Sequence, residues 1–420
     1  MRRITLALVL LAGVAAMYGL QPVAAQTRQS HVVSDNPVNW TPHVEDGIVY
    51  AIAAVGDTVV VGGSFSRISE ADGSGTAYQD NIFAFDRSTG KIDHSFHPSV
   101  DGPVYALAPG DANTVYAGGE FAQVNGSDQA GLTRLHLSDG SRTASSIPTT
   151  AEGGEVRTLG RGGDRLYVGG AFKTIGGQSR RALARVDTDT DRVDTGFNIS
   201  IEQPRSGRLR VTKLAISPGG TRLVVDGTFT RVAGHDRDQI AMIDTGASPA
   251  RVSGWYTRGY EGSCHTSTDT YLHGVDFAPD GSYFVVVTSG HRGTYGPMCD
   301  TAARFETASD GDQHPTWVNH TGGDSLYAVA ITGAAVYVGG HQRWLDNPGG
   351  RDSAGPGAVS RPGIAAIDPD TGKALSWNPT RTRGIGVQCL LATPGALWVA
   401  SDTDQLGHEH HGRIGAFPLG

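Results

Sequence analysis

The sequence predicts an all-β fold, and three observations carry that prediction: a high glycine content, a repeated strand motif and tight polar turns. Glycine accounts for 59 of the 420 residues, about twice the usual share. No Gly-X-Y period accompanies this glycine, so a collagen-like chain is excluded. A chain rich in turns and in short β-branched runs favours strands throughout.

The repeated motif is a β-branched or aromatic run that ends in small residues. It occurs as VVVGGSF (59–65), VYAGGEF (115–121), LYVGGAF (166–172), LVVDGTF (223–229), FVVVTSG (284–290), VYVGGHQ (336–342) and LWVASD (397–402). The aligned residues are Gly63, Gly119, Gly170, Gly227, Ser289, Gly340 and Ser401, at spacings of 51 to 62 residues. Self-similarity at such a period indicates a repeat architecture.

Each repeat contains further strand-like runs around this motif. An apolar run precedes it, as in IVYAIA (48–53), and another follows it, as in IFAFD (82–86). A polar turn such as DRSTGK (86–91) then leads into a fourth strand. Seven four-stranded repeats predict a seven-bladed β-propeller. The bulky residues of the fourth strands are expected to pack as wedges between blades, and they are Phe96, Ile147, Phe197, Trp255, Trp317 and Trp377.

The last repeat ends after its third strand, at residues 414–417. We expect the segment VNWTPHV (38–44) to supply the missing fourth strand, with Trp40 at the bulky position. This arrangement would close the ring and remove free sheet edges. The predicted organisation is therefore a signal peptide at 1–25, a short linker at 26–37 and a propeller at 38–420.

The N-terminus has the pattern of a secretory signal. Arg2 and Arg3 precede an uncharged, mainly apolar run from Ile4 to Leu20, and a small-residue cleavage site ends at Ala25. We expect cleavage near Ala25 and a secreted, extracellular protein with no membrane span after cleavage. The alternative is a leader that is retained as a membrane anchor.

Charge and cysteine content narrow the possibilities further. The formal net charge is −8, which disfavours a nucleic-acid partner because phosphate contacts need a basic surface. Of the three cysteines, Cys264 and Cys299 lie in two long loops of the fifth repeat. Export favours a disulfide between them. Cys389 lies in an inner strand and is expected to be a buried small hydrophobic residue.

The longest loops are predicted on one face of the propeller. Antiparallel strand order places the fourth-to-first and second-to-third loops together, and we call this side the long-loop face. The loops grow in repeats five to seven, at 258–271, 291–301, 341–363 and 402–413. Binding residues concentrate in such loops, although neutral loop growth is the alternative. The candidate ligand-binding residues are His291, Arg292, Tyr295, His341, Arg343, Trp344, Asp346, Arg351, Arg361, Arg381, Arg383, Asp402 and Asp404.

The arginine-rich part of this set suits a sugar or an acidic polymer, because guanidinium groups pair well with carboxylates and phosphates. The competing interpretation is that these charges only pin the long loop to its neighbours. Ser325 lies in the sequence Gly-Asp-Ser-Leu, which matches a serine-esterase signature. The repeat register places this match in a first strand, so we expect no catalysis by Ser325. The sequence assigns no catalytic residue.

The segment His408, Glu409, His410 and His411 is the densest group of possible metal ligands. Imidazole and carboxylate groups suit zinc or another divalent metal. A solvated polar loop is the alternative interpretation. No other cofactor is expected.

The VYVGG-type strands, the D-x-x-T-G-K turns and the leader together resemble the delta-60-repeat β-propellers of secreted bacterial proteins. The stretch from Gly339 to Pro379 looks particularly similar, and the resemblance covers nearly all of 39–420. It implies a propeller fold and an extracellular setting, and it implies little chemistry. The turns also look like those of quinone-cofactor propellers, a likeness of architecture only.

Three functions follow as hypotheses. The first is a binding module that recognises an extracellular polysaccharide, a cell-envelope component or a protein through the long-loop face of repeats five to seven. The second is an extracellular metal-assisted hydrolase or lyase with its site on the same face. The third is a structural envelope protein.

Overall fold

The computed structural model describes residues 27–143, 149–150, 154–262, 264, 269–290 and 297–420. Within these residues the chain forms forty strands and no helix, as the glycine and turn content predicts. No helix of the described residues is long and apolar enough to cross a membrane. The predictions on the leader, Ile147, His291, Arg292 and Tyr295 lie outside the described residues.

The strands alternate between long sheet strands and two- to four-residue strands in the connections. Those up to residue 193 are β1 (His43–Val44), β2 (Ile48–Val55), β3 (Thr58–Ser64), β4 (Arg67–Ser69), β5 (Ala77–Tyr78), β6 (Ile82–Asp86), β7 (Val104–Pro109), β8 (Thr114–Gly119), β9 (Gln123–Val124), β10 (Ser127–Asp128), β11 (Leu132–His136), β12 (Glu155–Gly162), β13 (Arg165–Ala171), β14 (Thr174–Ile175), β15 (Gln178–Ser179), β16 (Leu183–Asp187) and β17 (Arg192–Val193).

Those after residue 200 are β18 (Ile201–Pro204), β19 (Val211–Ile216), β20 (Arg222–Gly227), β21 (Phe229–Val232), β22 (His235–Asp236), β23 (Ile240–Asp244), β24 (Arg251–Val252), β25 (Trp255–Tyr256), β26 (Leu272–Phe277), β27 (Tyr283–Thr288), β28 (Thr301–Glu306), β29 (Gly311–Asp312), β30 (Trp317–His320), β31 (Leu326–Ile331), β32 (Val336–Gly340), β33 (Trp344–Leu345), β34 (Val359–Ser360), β35 (Ile364–Ile367), β36 (Cys389–Thr393), β37 (Ala396–Ala400), β38 (Gln405–Leu406), β39 (Glu409–His410) and β40 (Ile414–Pro418).

One antiparallel sheet topology recurs along the chain, and each copy contains the first, second and third strands of one repeat. We number these sheets one to seven in chain order: β2-β3-β6, β7-β8-β11, β12-β13-β16-β17, β19-β20-β23-β24, β26-β27-β28-β30, β31-β32-β35 and β36-β37-β40. The first strands of consecutive sheets contact one another, and β36 of sheet seven contacts β2 of sheet one.

The hydrophobic core lies between consecutive sheets, where the apolar faces of both are removed from water. In sheet one, Phe85 packs against Trp398 of sheet seven, with ring centroids 5.8 Å apart. The predicted wedge role of the bulky residues is confirmed at Trp377. Its ring lies 5.3 Å from Tyr337 of sheet six and 5.1 Å from Phe417 of sheet seven.

The outer segment of each sheet donates one backbone hydrogen bond to the middle of the third strand. The donor and acceptor pairs are Asp93 to Ala84, Thr143 to Arg134, Asp194 to Arg185, Ser253 to Met242, Thr316 to Arg304, Leu375 to Ala366 and Val38 to Ala416. In sheet seven the donor comes from the N-terminal segment, and Val44 N also donates to Gly412 O at 2.8 Å. Residues 38–44 therefore run beside β40 in the position that fourth segments hold elsewhere.

The segment expected to be a linker is packed instead. Gln29 N donates to Thr332 O at 3.1 Å, and the Gln29 side-chain amide donates to Thr393 O at 3.0 Å. Val33 is buried, and its N–H donates to the hydroxyl of Tyr337 at 2.9 Å. These contacts bury an apolar side chain while satisfying the backbone, so the segment lies against sheets six and seven.

The second-to-third connections, expected to be loops, contain short hairpins in six sheets. The pairs are β4/β5, β9/β10, β14/β15, β21/β22, β33/β34 and β38/β39. Each hairpin buries one apolar residue, and these residues are Ile68, Val124, Ile175, Val232, Leu345 and Leu406. That burial explains why the connections are ordered.

The predicted disulfide is confirmed: Cys264 and Cys299 are bonded. It ties together two loops of the fifth repeat, and it is consistent with a secreted protein. The prediction that Cys389 is a buried small hydrophobic residue is corrected, because Cys389 is half-buried and lines an axial cavity. Burial still raises the pKa of its thiol.

Candidate functional site

Asp324 organises the long-loop face between sheets six and seven. Its carboxylate accepts hydrogen bonds from Arg343 Nε at 2.8 Å and from Arg383 at 3.0 Å. The Arg343 backbone N–H also donates to it, at 3.0 Å. Only 4% of the Asp324 side chain is exposed, so this shared pairing holds the two predicted arginines in fixed positions.

Arg381 and Asp402 form a second, more buried pair. The guanidinium of Arg381 donates to Asp402 at 3.3 Å, and Gly386 N donates to the same carboxylate at 3.0 Å. Burial lowers the pKa of Arg381 to about 10. Arg361 likewise uses its donors internally, on the carbonyl of Leu375. These contacts support the interpretation that several charges pin the loops.

The remaining polar candidates have mixed roles. Asp346 accepts from the side-chain amide of Asn319 at 2.6 Å, which anchors the start of the long loop. His341 Nδ1 lies 2.7 Å from the carbonyl of Gly384. Arg351 and Asp404 are exposed. Of these four side chains, Arg351 and Asp404 are therefore the two that face solvent.

Trp344 differs from the other candidates because the fold does not need an aromatic residue there. It occupies the outward position of the β33/β34 hairpin, while its neighbour Leu345 fills the buried position. The outward residues of the other hairpins are Arg67, Gln123, Thr174, Arg231 and Gln405. Trp344 is half-buried, and the Arg343 guanidinium lies 4.3 Å from its ring centroid. The site therefore presents a rigid aromatic platform next to a fixed cation.

The histidine-rich segment does not converge as a metal site. His411 is buried, with Nδ1 3.2 Å from Thr41 Oγ1 and Nε2 3.6 Å from Glu409. The ring of His410 turns instead to His43, at 4.7 Å, and His408 Nε2 lies 3.3 Å from Thr380 Oγ1. In the part of the chain that the structure describes, no three His, Cys, Asp or Glu side chains are grouped as metal ligands.

Sequence analysis missed a ring of side chains at the start of the first strands. A β-bulge interrupts the first strand of six sheets, and the bulged residues are Tyr50, Tyr105, Arg157, Thr212, His273 and Tyr327. Gln388 holds the equivalent position just before β36. All seven residues are half-buried. Bulges re-aim side chains, and here they occur at the long-loop end of each first strand.

Five of these residues line an axial cavity of about 730 Å³, at the end that we call its mouth, and they are Tyr50, Tyr105, Arg157, Tyr327 and Gln388. First strands from all seven sheets line the cavity. The rings of Tyr50 and Tyr105 meet edge to face at 5.3 Å, and the guanidinium of Arg157 lies 4.0 Å from the centroid of Tyr105. Arg157 is also paired with Glu155 at 2.8 Å. This part of the mouth is aromatic and electrostatically balanced.

Two groups of the fifth repeat, His273 and Asp300, have perturbed acidity. His273 Nε2 lies 2.8 Å from Ser289 Oγ, and burial lowers the pKa of His273 to about 4. Burial raises the pKa of Asp300 to about 7, and the nearby charge of Asp324 acts in the same direction. Ser325 Oγ lies 3.4 Å from Asp300 Oδ1.

A signal for this ring was present in the repeats. The third letter of the first-strand run changes from repeat to repeat among Tyr, Arg, Thr, His and Gln, whereas the residue before it is always Val or Leu. Variation at a single register is expected of a binding position on a constant scaffold. The bulge that turns these residues toward the axis appears only when the strand pairing is known.

The family comparison supports a β-propeller architecture. A model described as a domain of unknown function (DUF5122) beta-propeller matches residues 164–197, which span β13 to β17 of sheet three. This match supports a β-propeller family. The sheets can therefore be called blades.

No curated protein matches the chain. Among solved structures, the chain is similar to the computationally designed Ika8 protein (crystal packing No.1 in P63), at 14% sequence identity and a TM-score of 0.47. That alignment covers 89% of this chain and 97% of the designed chain.

Proposed function

We propose that the protein is a secreted, closed, seven-bladed β-propeller that binds an extracellular polysaccharide, cell-envelope component or protein through the long-loop face of blades five to seven. The repeated sheet topology, the contact of β36 with β2 and the hydrogen bond from Val38 to Ala416 support the closed ring. The disulfide and the leader at residues 1–25 support export.

Trp344 is the observation that carries the binding function. Its hairpin is anchored by the buried Leu345, and its neighbour Arg343 is held by Asp324. A partly exposed aromatic ring on a rigid element offers contact area with little loss of conformational entropy. The ring also suits the apolar face of a sugar, with Arg343 beside it for a hydroxyl or an acidic group.

The axial mouth extends this surface toward the centre of the ring. Asp324 is followed directly by Ser325 and, two residues further, by Tyr327 at the mouth. A polymer chain lying on Trp344 could therefore continue over the bulged residues. Shallow, polar and partly aromatic surfaces of this kind are common binding sites.

The test is retention on a panel of immobilised extracellular polysaccharides, with the mature wild type compared with Trp344→Ala. We expect at least one polymer to retain the wild type and Trp344→Ala to weaken binding about tenfold or more. The matched control is Tyr78→Ala, because Tyr78 lies in the equivalent hairpin of blade one and is 87% exposed. Equal binding by both variants would contradict the proposed site.

Two other outcomes would favour the alternatives. Release of soluble fragments that stops with a chelator would favour an enzyme that uses His408 to His411. Absence of any retained polymer and of any turnover would favour a structural envelope protein. The melting temperature of Trp344→Ala should stay near that of the wild type, because polar residues occupy this position in other blades.

A further inference from the structure

One lysine lies in the axial cavity without a counter-ion. The chain has four lysines, and three of them, Lys91, Lys173 and Lys373, are exposed. Lys213 is half-buried in β19 and lines the cavity. Its backbone N–H donates to Asp226 at 2.9 Å, but its ammonium group has no hydrogen bond or ion pair with any described residue.

The other charges in and around the cavity are already satisfied. Arg157 is paired with Glu155, and Arg161 donates to the carbonyls of Gly163 and Pro109. The carboxylate of Asp276 accepts the backbone N–H of Ile331 at 2.8 Å. Among the charged side chains that line the cavity, Lys213 is therefore the one whose charged group has no hydrogen bond or ion pair with a described residue.

Asp226 does not supply the missing counter-ion. It is fully buried, and burial raises the pKa of its carboxyl to about 7. Thr212 Oγ1 and Lys213 N both donate to the same oxygen of Asp226, at 2.8 and 2.9 Å. Donors of β19 thus hold the carboxyl group, and the charge of Lys213 acts against the burial that raises its pKa, although no ion pair joins the two side chains.

The charge of Lys213 acts on two residues of other blades. It acts against the burial that raises the pKa of Cys389 in blade seven. It also adds to the burial that keeps His273 in blade five neutral. Lys213 thus lies on the cavity wall, one position after the bulged Thr212. An anion in the cavity would give its ammonium group a charge-assisted partner.

We infer that the axial cavity binds a monoanionic carboxylate, with Lys213 as its counter-ion, and that this carboxylate belongs to an acidic sugar. The ammonium group of Lys213 matches the single charge of a carboxylate, whereas a phosphate dianion would bring a second negative charge into a cavity that Asp276 also lines. The edge-to-face rings of Tyr50 and Tyr105 at the mouth suit a sugar ring. The inference deepens the proposed binding function and rests on it for the polysaccharide class.

Calorimetric titration with D-galacturonate tests the inference directly. D-galactose and inorganic phosphate serve as the neutral and dianionic comparisons, in a buffer free of carboxylates. We expect galacturonate to bind the wild type and Lys213→Met to weaken that binding at least tenfold. Lys173→Met is the matched control and should bind as the wild type does. Equal binding by Lys213→Met, or tighter binding of phosphate or galactose, would overturn the inference.

A second measurement keeps the test valid if Lys213→Met fails to fold. Reductive methylation of the wild type can be followed at all four lysines by peptide mass spectrometry. Saturating galacturonate should protect Lys213 and leave Lys91, Lys173 and Lys373 unchanged. Unchanged labelling of Lys213 would overturn the inference. Polymer binding that still depends on Trp344 would then show that the proposed function survives without the axial carboxylate site.

Discussion

The backbone of Gly90 in blade one lies directly against the carbonyl group of Trp40 from the N-terminal segment. A Cβ atom on Gly90 would overlap that carbonyl oxygen. The other side of Trp40 faces the ring of Trp398 in blade seven, at 5.9 Å. A related contact occurs inside the chain, where Gly372 of blade six lies against the side chain of Trp317 of blade five. Trp40 therefore joins blades seven and one as a wedge residue joins other neighbours.

Gly90→Ala should destabilise the protein through this contact. Gly90 has a φ of 72°, so alanine adds left-handed backbone strain of about 1–2 kcal/mol as well as the collision with Trp40. Gly126→Ala is the matched control, because Gly126 has a φ of 69° and open space around its missing Cβ. Denaturant unfolding should show a loss for Gly90→Ala about 2 kcal/mol larger than for the control. An equal decrease in the free energy of unfolding for both variants would mean that Trp40 does not pack against Gly90 of blade one.

Removing the disulfide should cost substantial stability. The bonded cysteines are 35 residues apart, which corresponds to about 3–4 kcal/mol in the chain-entropy model. The double variant Cys264→Ala, Cys299→Ala should therefore melt well below the wild type. Cys389→Ala is the control and should change the melting temperature little. A wild type whose unfolding is insensitive to reductant would contradict this prediction.

Asp226→Asn should change how stability depends on pH. Burial raises the folded pKa of Asp226 to about 7, above the ordinary value of 3.8 for this carboxyl, so the folded state holds its proton more tightly than the unfolded state. This stabilisation is complete below pH 3.8 and is lost as the pH rises toward 7. Between pH 4 and 7.5, the variant should therefore gain about 2–4 kcal/mol relative to the wild type.

The measurement for Asp226→Asn is the free energy of unfolding across this pH range. The new amide can also change the free energy of unfolding by a constant amount at every pH. That constant does not affect the comparison, because only the change of the free energy of unfolding with pH is compared. Asp404→Asn, which alters an exposed carboxylate, should follow the wild-type curve. Parallel curves for Asp226→Asn and the wild type would show that Asp226 is ionised in the fold at low pH.

Gln342→Leu should stabilise the protein. Gln342 is fully buried, and neither polar atom of its amide has a partner. The corresponding residues of blades one to four are the buried Phe65, Phe121, Phe172 and Phe229. Replacing an unsatisfied buried amide with an apolar side chain should raise the free energy of unfolding by about 1–2 kcal/mol.

Asn347→Leu provides the comparison for Gln342→Leu. Asn347 is equally buried in the same loop, but its amide donates to Thr321 O at 2.9 Å and accepts from Gly355 N at 2.8 Å. Leucine at this position should destabilise the protein, because it leaves both groups unpaired. Destabilisation of similar size by both substitutions would show that Gln342 has a partner in solution.

Much of the fold could be predicted because its signals are local and repeated. Alternating apolar residues and polar turns identify strands one by one, and the common period assembles them into equal units. The position of Trp40 followed from the missing fourth strand of the last repeat. The disulfide followed from strand order, which places the loops of Cys264 and Cys299 on one face.

The site could be predicted only in part. The long-loop face was predicted, and Trp344 lies there as an accessible ring. The roles of Arg361 and Arg381 were not predictable. The sequence does not distinguish a loop arginine that is exposed to solvent from one that binds a ligand or donates to a backbone carbonyl. The sequence also did not show that the side chains of His410 and His411 point in different directions. Neighbouring side chains point to opposite sides when the backbone is extended, and the sequence alone suggested a loop here.

The sequence by itself determined the repeat, the strand content and the cysteine pair, because these depend on hydrophobic periodicity and on spacing along the chain. Only the tertiary structure decided that Asp324 holds both Arg343 and Arg383, that Asp226 is buried and that Lys213 lies unpaired in the axial cavity. Those relationships join residues from different strands and loops. Their energies depend on distance and desolvation in three dimensions, which no local pattern encodes.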